Sequence, residues 1–303
     1  NINENAMIDT NIPSDPTRVR DGENWYTFKN WTLGGMAVTK DEIKLTPVTA
    51  EITFKADYTV TAHKNPLVWQ PETTSFVNNK DAFKRERVTF KGYAANMYTP
   101  NEARTVNDPL AIEGAGNVPE NKSALKGSKM FDPTIYKTIL VRYYYAPGTT
   151  TASRKFTFWN QSSNWQDSSL KAVPAQDVAM ESGKWTYAKF DYTSYDLSAY
   201  DCNIPQFHVK PLTNIKADDW TDGEAVYFDK VEWYLDAPEV YTVEFRDNDE
   251  NLLYTIDALN GETVIYGGAD VSVPEGGEFL GWTTEKGTTN AVALKVTGNT
   301  VFY

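Results

Sequence analysis

Short runs of β-favouring residues, most of them bounded by Gly or Pro turns, recur along this chain, while helical periodicity is scarce. Residues 139–145 end at the turn dipeptide Pro147-Gly148, and residues 155–159 follow with partial alternation. Residues 185–192 begin just after Ser182-Gly183. Residues 205–210 alternate apolar with polar until Pro211, and residues 226–235 close the series. Earlier, residues 51–54, 58–60 and 87–90 read as strands too, whereas residues 94–128, rich in Asn, Pro, Gly and Ala, read as a long loop. Many short strands joined by irregular loops predict an all-β chain built around a β-sandwich.

Composition changes near residue 238. Residues 239–303 hold 11 acidic and 3 basic side chains, a net −8, whereas the first 238 residues carry only −4. The same tail has 8 of the 18 glycines but a single tryptophan, Trp282. With Pro238 following a strand-like run, this predicts a large domain over residues 1–237 and a small one over residues 238–303. Whether residues 1–100 form a further domain stays open.

Several functions are disfavoured. A net charge of −12 repels a phosphate backbone, so nucleic acid is not an expected partner. No run approaches the roughly 20 apolar residues of a membrane span. The chain opens on Asn1 without a basic, apolar leader, as expected of a processed protein or an excised piece. The two histidines, His63 and His208, offer little to a zinc site or a catalytic dyad, and Cys202 beside Asp201 has no evident activating base. Nucleophile-elbow and zinc-protease motifs are absent, and Gly114 and Gly116 are not followed by a phosphate-loop lysine. The expectation is a protein that is not an enzyme, although a pair of glycosidase carboxylates has no sequence signature that would exclude it.

Two resemblances add to this. Residues 226–233 (Val-Tyr-Phe-Asp-Lys-Val-Glu-Trp), after the turn Asp222-Gly223-Glu224, resemble the closing strand of jelly-roll carbohydrate-binding modules. Gly183-Lys184-Trp185-Thr186-Tyr187 is similar to their internal strand opening, and Asp21-Gly22-Glu23-Asn24-Trp25 loosely to the first. The likeness covers residues 130–236 tolerably and residues 20–100 poorly. The tail resembles the Listeria–Bacteroides repeat, a small β-grasp-like module of exported bacterial surface proteins. Its residues 240–245, the polar turn 247–251, Gly261-Glu262-Thr263-Val264, Pro274, Phe279-Leu280-Gly281-Trp282 and the closing residues 296–303 follow that order. The usual Asn-Gly-Gly after the first strand is replaced by a charged turn, and the chain stops where the last strand normally continues, which implies a longer native protein. The resemblance implies a secreted or cell-surface location, with the tail as a spacer or interaction module.

Candidate sites follow. Tyr227, Asp229, Val231, Trp233 and Leu235 share one face of an unbroken strand, and Asp229 is the only charge on it. A carboxylate there needs donors or a cation to offset desolvation. The jelly-roll resemblance implies a structural calcium at this position, with Asp21 or Glu23 as further oxygen ligands. The alternatives are hydrogen bonds from backbone or side chains, or an outward-pointing Asp on a bulged strand. Sugar recognition lays a pyranose face on an aromatic ring while amides bind the hydroxyls. Trp159, Asn160, Gln161, Asn164 and Trp165 supply that combination within one polar stretch, and Trp220 and Trp69 are further candidate rings, although most aromatics in a sandwich are packing residues. In the tail, Trp282 and Phe279 are expected to anchor the small core, and Gly281 to allow a close backbone approach. Asp247-x-Asp249-x-Asn251 has the opening of an EF-hand loop, but Leu252 and Ala258 occupy the required Gly and Glu positions, so it reads as a hairpin turn. The functional expectation is a non-catalytic surface protein whose exposed aromatics bind a polysaccharide or other glycan. The alternatives are a structural adhesin or surface-layer segment that contacts protein partners, and an accessory module of a glycoside hydrolase.

Overall fold

The computed structural model describes residues 8, 12, 14–16, 19–21, 24–69, 76–77, 81–107, 110, 112–115, 135–149, 154–160, 174–197, 206–211, 216–273 and 275–303. These residues are almost entirely β, with one five-residue α-helix. They fall into two compact units, Asn1–Asn65 and Pro66–Tyr303. The compositional break near residue 238 does not coincide with that division.

The first unit is built on one long strand, β2 (Asn24–Leu33). Along one edge it pairs first with β1 (Val19–Asp21) and then with β3 (Met36–Val38); along the other it pairs with β4 (Phe54–Ala62). Gly34 and Gly35, at φ +56° and +84°, form the two-residue turn between β2 and β3, which needs left-handed backbone at both positions. The helix α1 (Lys40–Lys44) starts at a capping box in which Thr39 and Glu42 exchange bonds. Ile43 is the one buried residue among those described in this unit.

The second unit contains β5 (Leu67–Trp69), β6 (Phe76–Val77), β7 (Phe83–Phe90), β8 (Tyr93–Pro100), β9 (Ile112–Ala115), β10 (Thr138–Pro147) and β11 (Lys155–Asn160). It continues with β12 (Gln176–Ala179), β13 (Trp185–Asp191), β14 (Gln206–Pro211), β15 (Glu224–Tyr234), β16 (Val240–Arg246), β17 (Leu252–Leu259) and β18 (Thr300–Phe302). Nine of these form a sheet in the order β18-β16-β17-β13-β10-β15-β8-β7, with β5 also beside β15. Five form a second sheet, β12-β11-β14-β9-β6.

Side-chain parity explains how the two sheets meet. Ile139, Val141 and Tyr143 of β10 stand on one face, opposite Trp233, Val231 and Phe228 of β15, and all six are buried. This face packs on the five-stranded sheet, with Tyr143 against Phe156 at 4.7 Å and Phe190 against Phe158 at 5.5 Å between ring centres. Part of the stretch expected as a loop is strand: β8 buries Ala95, Asn96 and Tyr98, and β9 pairs with β14. Small and amide side chains hide the alternation there.

The tail adds to the same nine-stranded sheet. Only residues 235–239 separate β15 from β16, and β17 pairs in parallel with β13 at Trp185 and Ile256. The core formed by Val243, Phe245, Ile256, Trp282, Val296 and Phe302 is continuous with Ala95, Tyr144 and Trp185 on the other face of the sheet. Burial of each large side chain contributes roughly 1.5–3 kcal/mol.

Candidate binding cleft

The other face of the nine-stranded sheet carries charge. A bulge in β15 places Asp229 as the extra residue where Phe228 faces Tyr143 and Lys230 faces Arg142. The bulge breaks the face expected of an unbroken strand and turns Asp229 toward Arg142, with 3.5 Å between Nη1 and Oδ2. Burial pushes the Asp229 carboxyl above its ordinary value, opposed by Arg142, Lys230 and Arg87. These three cations make the surroundings a poor fit for a calcium ion. Asp21 is exposed in the first unit, Glu23 lies outside the described residues, and among the described residues no three His, Cys, Asp or Glu side chains form a metal-binding group.

Around this pair the sheet is filled. The Arg142 guanidinium lies 4.0 Å from the centre of the Tyr93 ring, and Lys230 Nζ donates to Glu232 at 3.0 Å and to Glu262 at 3.1 Å. The Tyr187 hydroxyl donates to Glu262 at 2.9 Å, as does the backbone N–H of Leu259 at 2.8 Å. Burial works against ionised Glu262, but Lys230 and these donors hold it below the ordinary carboxylate range; in Glu232 burial prevails and the carboxyl is raised. Glu262 and Leu259 belong to the tail, and Lys230 and Tyr187 to the sandwich, so the network clasps the two together.

Of the rings predicted to be exposed, Trp220 is buried, at 9% exposure, and packs against Phe83 at 5.1 Å. The 3₁₀ turn of Ala217–Asp219 points the indole inward despite its polar neighbours. Trp159 and Asn160 lie at the end of β11, where only the backbone is described, and the same holds for Trp69 in β5; Gln161, Asn164 and Trp165 lie outside the described residues. In the first unit Tyr26, Phe28 and Tyr58 cluster on one face, but edge to face, at 84° and 81° between ring planes. Such packing is that of a small core, not of a flat platform.

The tail holds an open cleft of about 650 Å³. One wall is the turn between β16 and β17, where Asp247 Oδ1 accepts from the N–H groups of Asp249 and Asn251 and Oδ2 accepts from the Asn251 amide. Those donors, the Asn251 side chain foremost, hold the Asp247 carboxyl below its usual range. The turn is a hairpin turn, with Glu250 in the left-handed region at φ 68°. Trp282 forms the floor, packed against Tyr266 at 4.7 Å and Phe245 at 4.8 Å. Gly281 has φ +124°, and a Cβ there would stand 2.7 Å from that of Ala291, so the loop is specific for glycine. This loop presents Phe279 edge-on to Trp282 at 5.3 Å while leaving it 45% exposed. Trp282 is thus the expected anchor, but Phe279 is a surface ring instead.

No family model, curated protein or solved structure matches this chain. Its cleft is therefore read on its own chemistry. Arg246, in the wall, is engaged by Glu244 at 2.7 Å and by the Glu250 carbonyl at 2.7 Å. Asp249 and Glu278, also in the wall, make no side-chain ion pair among the described residues. Val273 and Leu280 add exposed aliphatic surface. The cleft thus offers an accessible ring, two free acceptor groups and the Asn248 amide. The motif Phe279-Leu280-Gly281-Trp282 was visible in the sequence, but nothing there indicated which of its rings faces solvent.

Proposed function

We propose that this chain is a non-catalytic surface protein of bacterial origin that holds a glycan in the tail cleft. The observation that carries this reading is an exposed phenyl ring, Phe279, beside two exposed carboxylates, which make no ion pair among the described residues, and an amide around one cavity. A pyranose laid on Phe279 would donate its hydroxyl protons to Asp249 and Glu278, and Asn248 would serve as donor or acceptor. The volume lies within the range of small-ligand pockets. The resemblance of the tail to an exported bacterial repeat supports the location, and no described helix is long and apolar enough to cross a membrane. A glycan array followed by calorimetry tests the reading. Phe279→Ala is expected to weaken the best ligand at least about tenfold, or 1.4 kcal/mol, with the chain still fully folded at the assay temperature. Trp159→Ala and Trp165→Ala in the same assay distinguish this cleft from a site in the stretch between them. No binding to any plant, host or bacterial polysaccharide refutes the glycan reading, and release of reducing ends from a bound polymer refutes the non-catalytic one.

A second reading, contact with a protein partner, is favoured by Leu280, 61% exposed, and Val273 beside Phe279. Aliphatic side chains neither stack on sugars nor bind hydroxyls. Leu280→Ala, which adds no charge or acceptor to the cleft, separates the two: it weakens capture of a protein partner at least about tenfold and leaves glycan affinity within about twofold, or 0.4 kcal/mol.

A further inference from the structure

We infer that the cleft selects glycans bearing free amino groups over neutral ones and rejects uronic-acid and sulfated glycans; this rests on the glycan reading of the same cleft. The lining carries three carboxylates, Asp247, Asp249 and Glu278, against one cation, Arg246. They are not equivalent. Asp247 has both oxygens committed to its own turn, where it accepts three bonds. Arg246 is neutralised by Glu244, and its remaining reach is taken by the Glu250 carbonyl, so it is not available to a ligand carboxylate. Lys286 nearby is paired with Glu250 at 2.9 Å. A ligand therefore meets the negative charge of Asp249 and Glu278 without a free cation among the described wall residues.

The surroundings reinforce this, since residues 239–303 carry a net −8. An ammonium on a sugar ring stacked upon Phe279 would sit among these acceptors and beside an aromatic face, both of which attract a cation. A ring carboxylate in the same place would be repelled by both. Because both carboxylates are exposed, the attraction of each is modest, and the two together give an affinity preference of about three- to tenfold.

Three probes decide it: β-linked hexamers of glucosamine and of N-acetylglucosamine, which share a backbone and differ in the amine, and a galacturonate hexamer. Binding is measured by calorimetry at about pH 5.5, above the ordinary carboxylate range. Wild type is expected to bind the glucosamine hexamer about three- to tenfold more tightly than the acetylated one, and the galacturonate hexamer more weakly than the acetylated one by at least about threefold. In Asp249→Asn/Glu278→Gln, and at about 0.5 M salt, the two amino-sugar hexamers should converge. Equal or weaker binding of the amine, or a preference that survives the double substitution, overturns this inference while leaving the glycan reading intact. Failure of all three hexamers together with an empty glycan array overturns both.

Discussion

Asp257 tests whether the tail is an integral part of the sandwich. It lies in β17, almost fully buried, and its carboxylate reaches across to the sandwich. Oδ2 accepts from the Thr186 hydroxyl and from Lys184 Nζ at 2.8 Å, both on the β13 side, while Oδ1 accepts from the Thr242 hydroxyl of β16 at 3.0 Å. A net hydrogen bond to a charged group contributes about 1.5–3 kcal/mol. Asp257→Asn keeps the volume and one acceptor oxygen; with that oxygen toward Thr186 and Lys184, the ion pair becomes a bond to a neutral acceptor and the Thr242 hydroxyl must turn to accept from the amide. Lys184 keeps Glu181 at 2.9 Å and is not left as a buried, unpaired charge. The expected loss is about 2–3 kcal/mol, or about 4–12 °C in Tm for a unit of this size. Urea unfolding followed by circular dichroism and tryptophan fluorescence should show one transition, displaced as a whole, because β17 is hydrogen-bonded to β13 and the two sides share a core. A loss below about 1 kcal/mol, or an early transition reporting Trp282 alone while the sandwich midpoint stays fixed, would show that the tail is an independent module.

Trp282→Ala removes the centre of the tail core, where the indole meets Phe245, Tyr266 and Phe279, and should cost about 3–5 kcal/mol; a cost under about 1 kcal/mol by the same urea assay contradicts that packing. Glu224→Gln leaves the buried Arg154 guanidinium, now bonded through Nε at 2.9 Å, without its counter-charge and should cost about 3–5 kcal/mol. Restoring stability with an apolar pair at both positions would confirm that the penalty is the orphaned charge. Burial pushes the Tyr98 hydroxyl up to about 12 and raises Tyr143, Tyr187 and Tyr254 as well. A raised folded-state value means that the native protein holds protons that the unfolded chain releases from about pH 10 upward. Stability is therefore kept below that pH and falls above it, by about 1.4 kcal/mol per pH unit for each such tyrosine, which alkaline titration at the tyrosinate band with parallel circular dichroism would measure; full tyrosine ionisation of the folded protein near pH 10 would refute it.

The β class was legible because it depends on local residue type. The runs at 139–145, 185–192 and 240–245 carry enough Val, Ile, Tyr and Trp to be strands in almost any context, and β10, β13 and β16 cover them. Strand β8 escaped notice because Ala94, Ala95 and Asn96 have little strand preference and are placed by pairing with β7 and β15. The orientation of Asp229 could not be read because it depends on a one-residue bulge, which reverses the side-chain alternation that follows and has no signature in β15 itself. Trp220 has polar neighbours in sequence and Phe83 as its neighbour in space. In the tail, the hairpin of β16 and β17 and Trp282 as a core residue were readable. The docking of β17 onto β13 was not, since a parallel pairing depends on which sheet edge is free and not on the sequence of either strand.

That docking changes what the two most conspicuous properties of the chain mean. Taken separately, an acidic tail looks like a solvating spacer and the aromatic sandwich like the binding part. In the folded chain the sandwich rings that can be followed are occupied with one another: Phe90 stacks on Tyr227 at 3.8 Å, Tyr144 meets Trp185 at 5.9 Å, and Tyr93 lies under Arg142. The clearest exposed ring beside a cavity, Phe279, belongs to the acidic part, whose position is fixed by the Asp257 and Glu262 bonds to the sandwich. A cleft held on a rigid sheet loses less conformational freedom on binding than one on a tethered module. Charge and aromaticity therefore lie at the same place, and a preference of the cleft for cationic over anionic ligands is the measurement that would most directly report whether they act together.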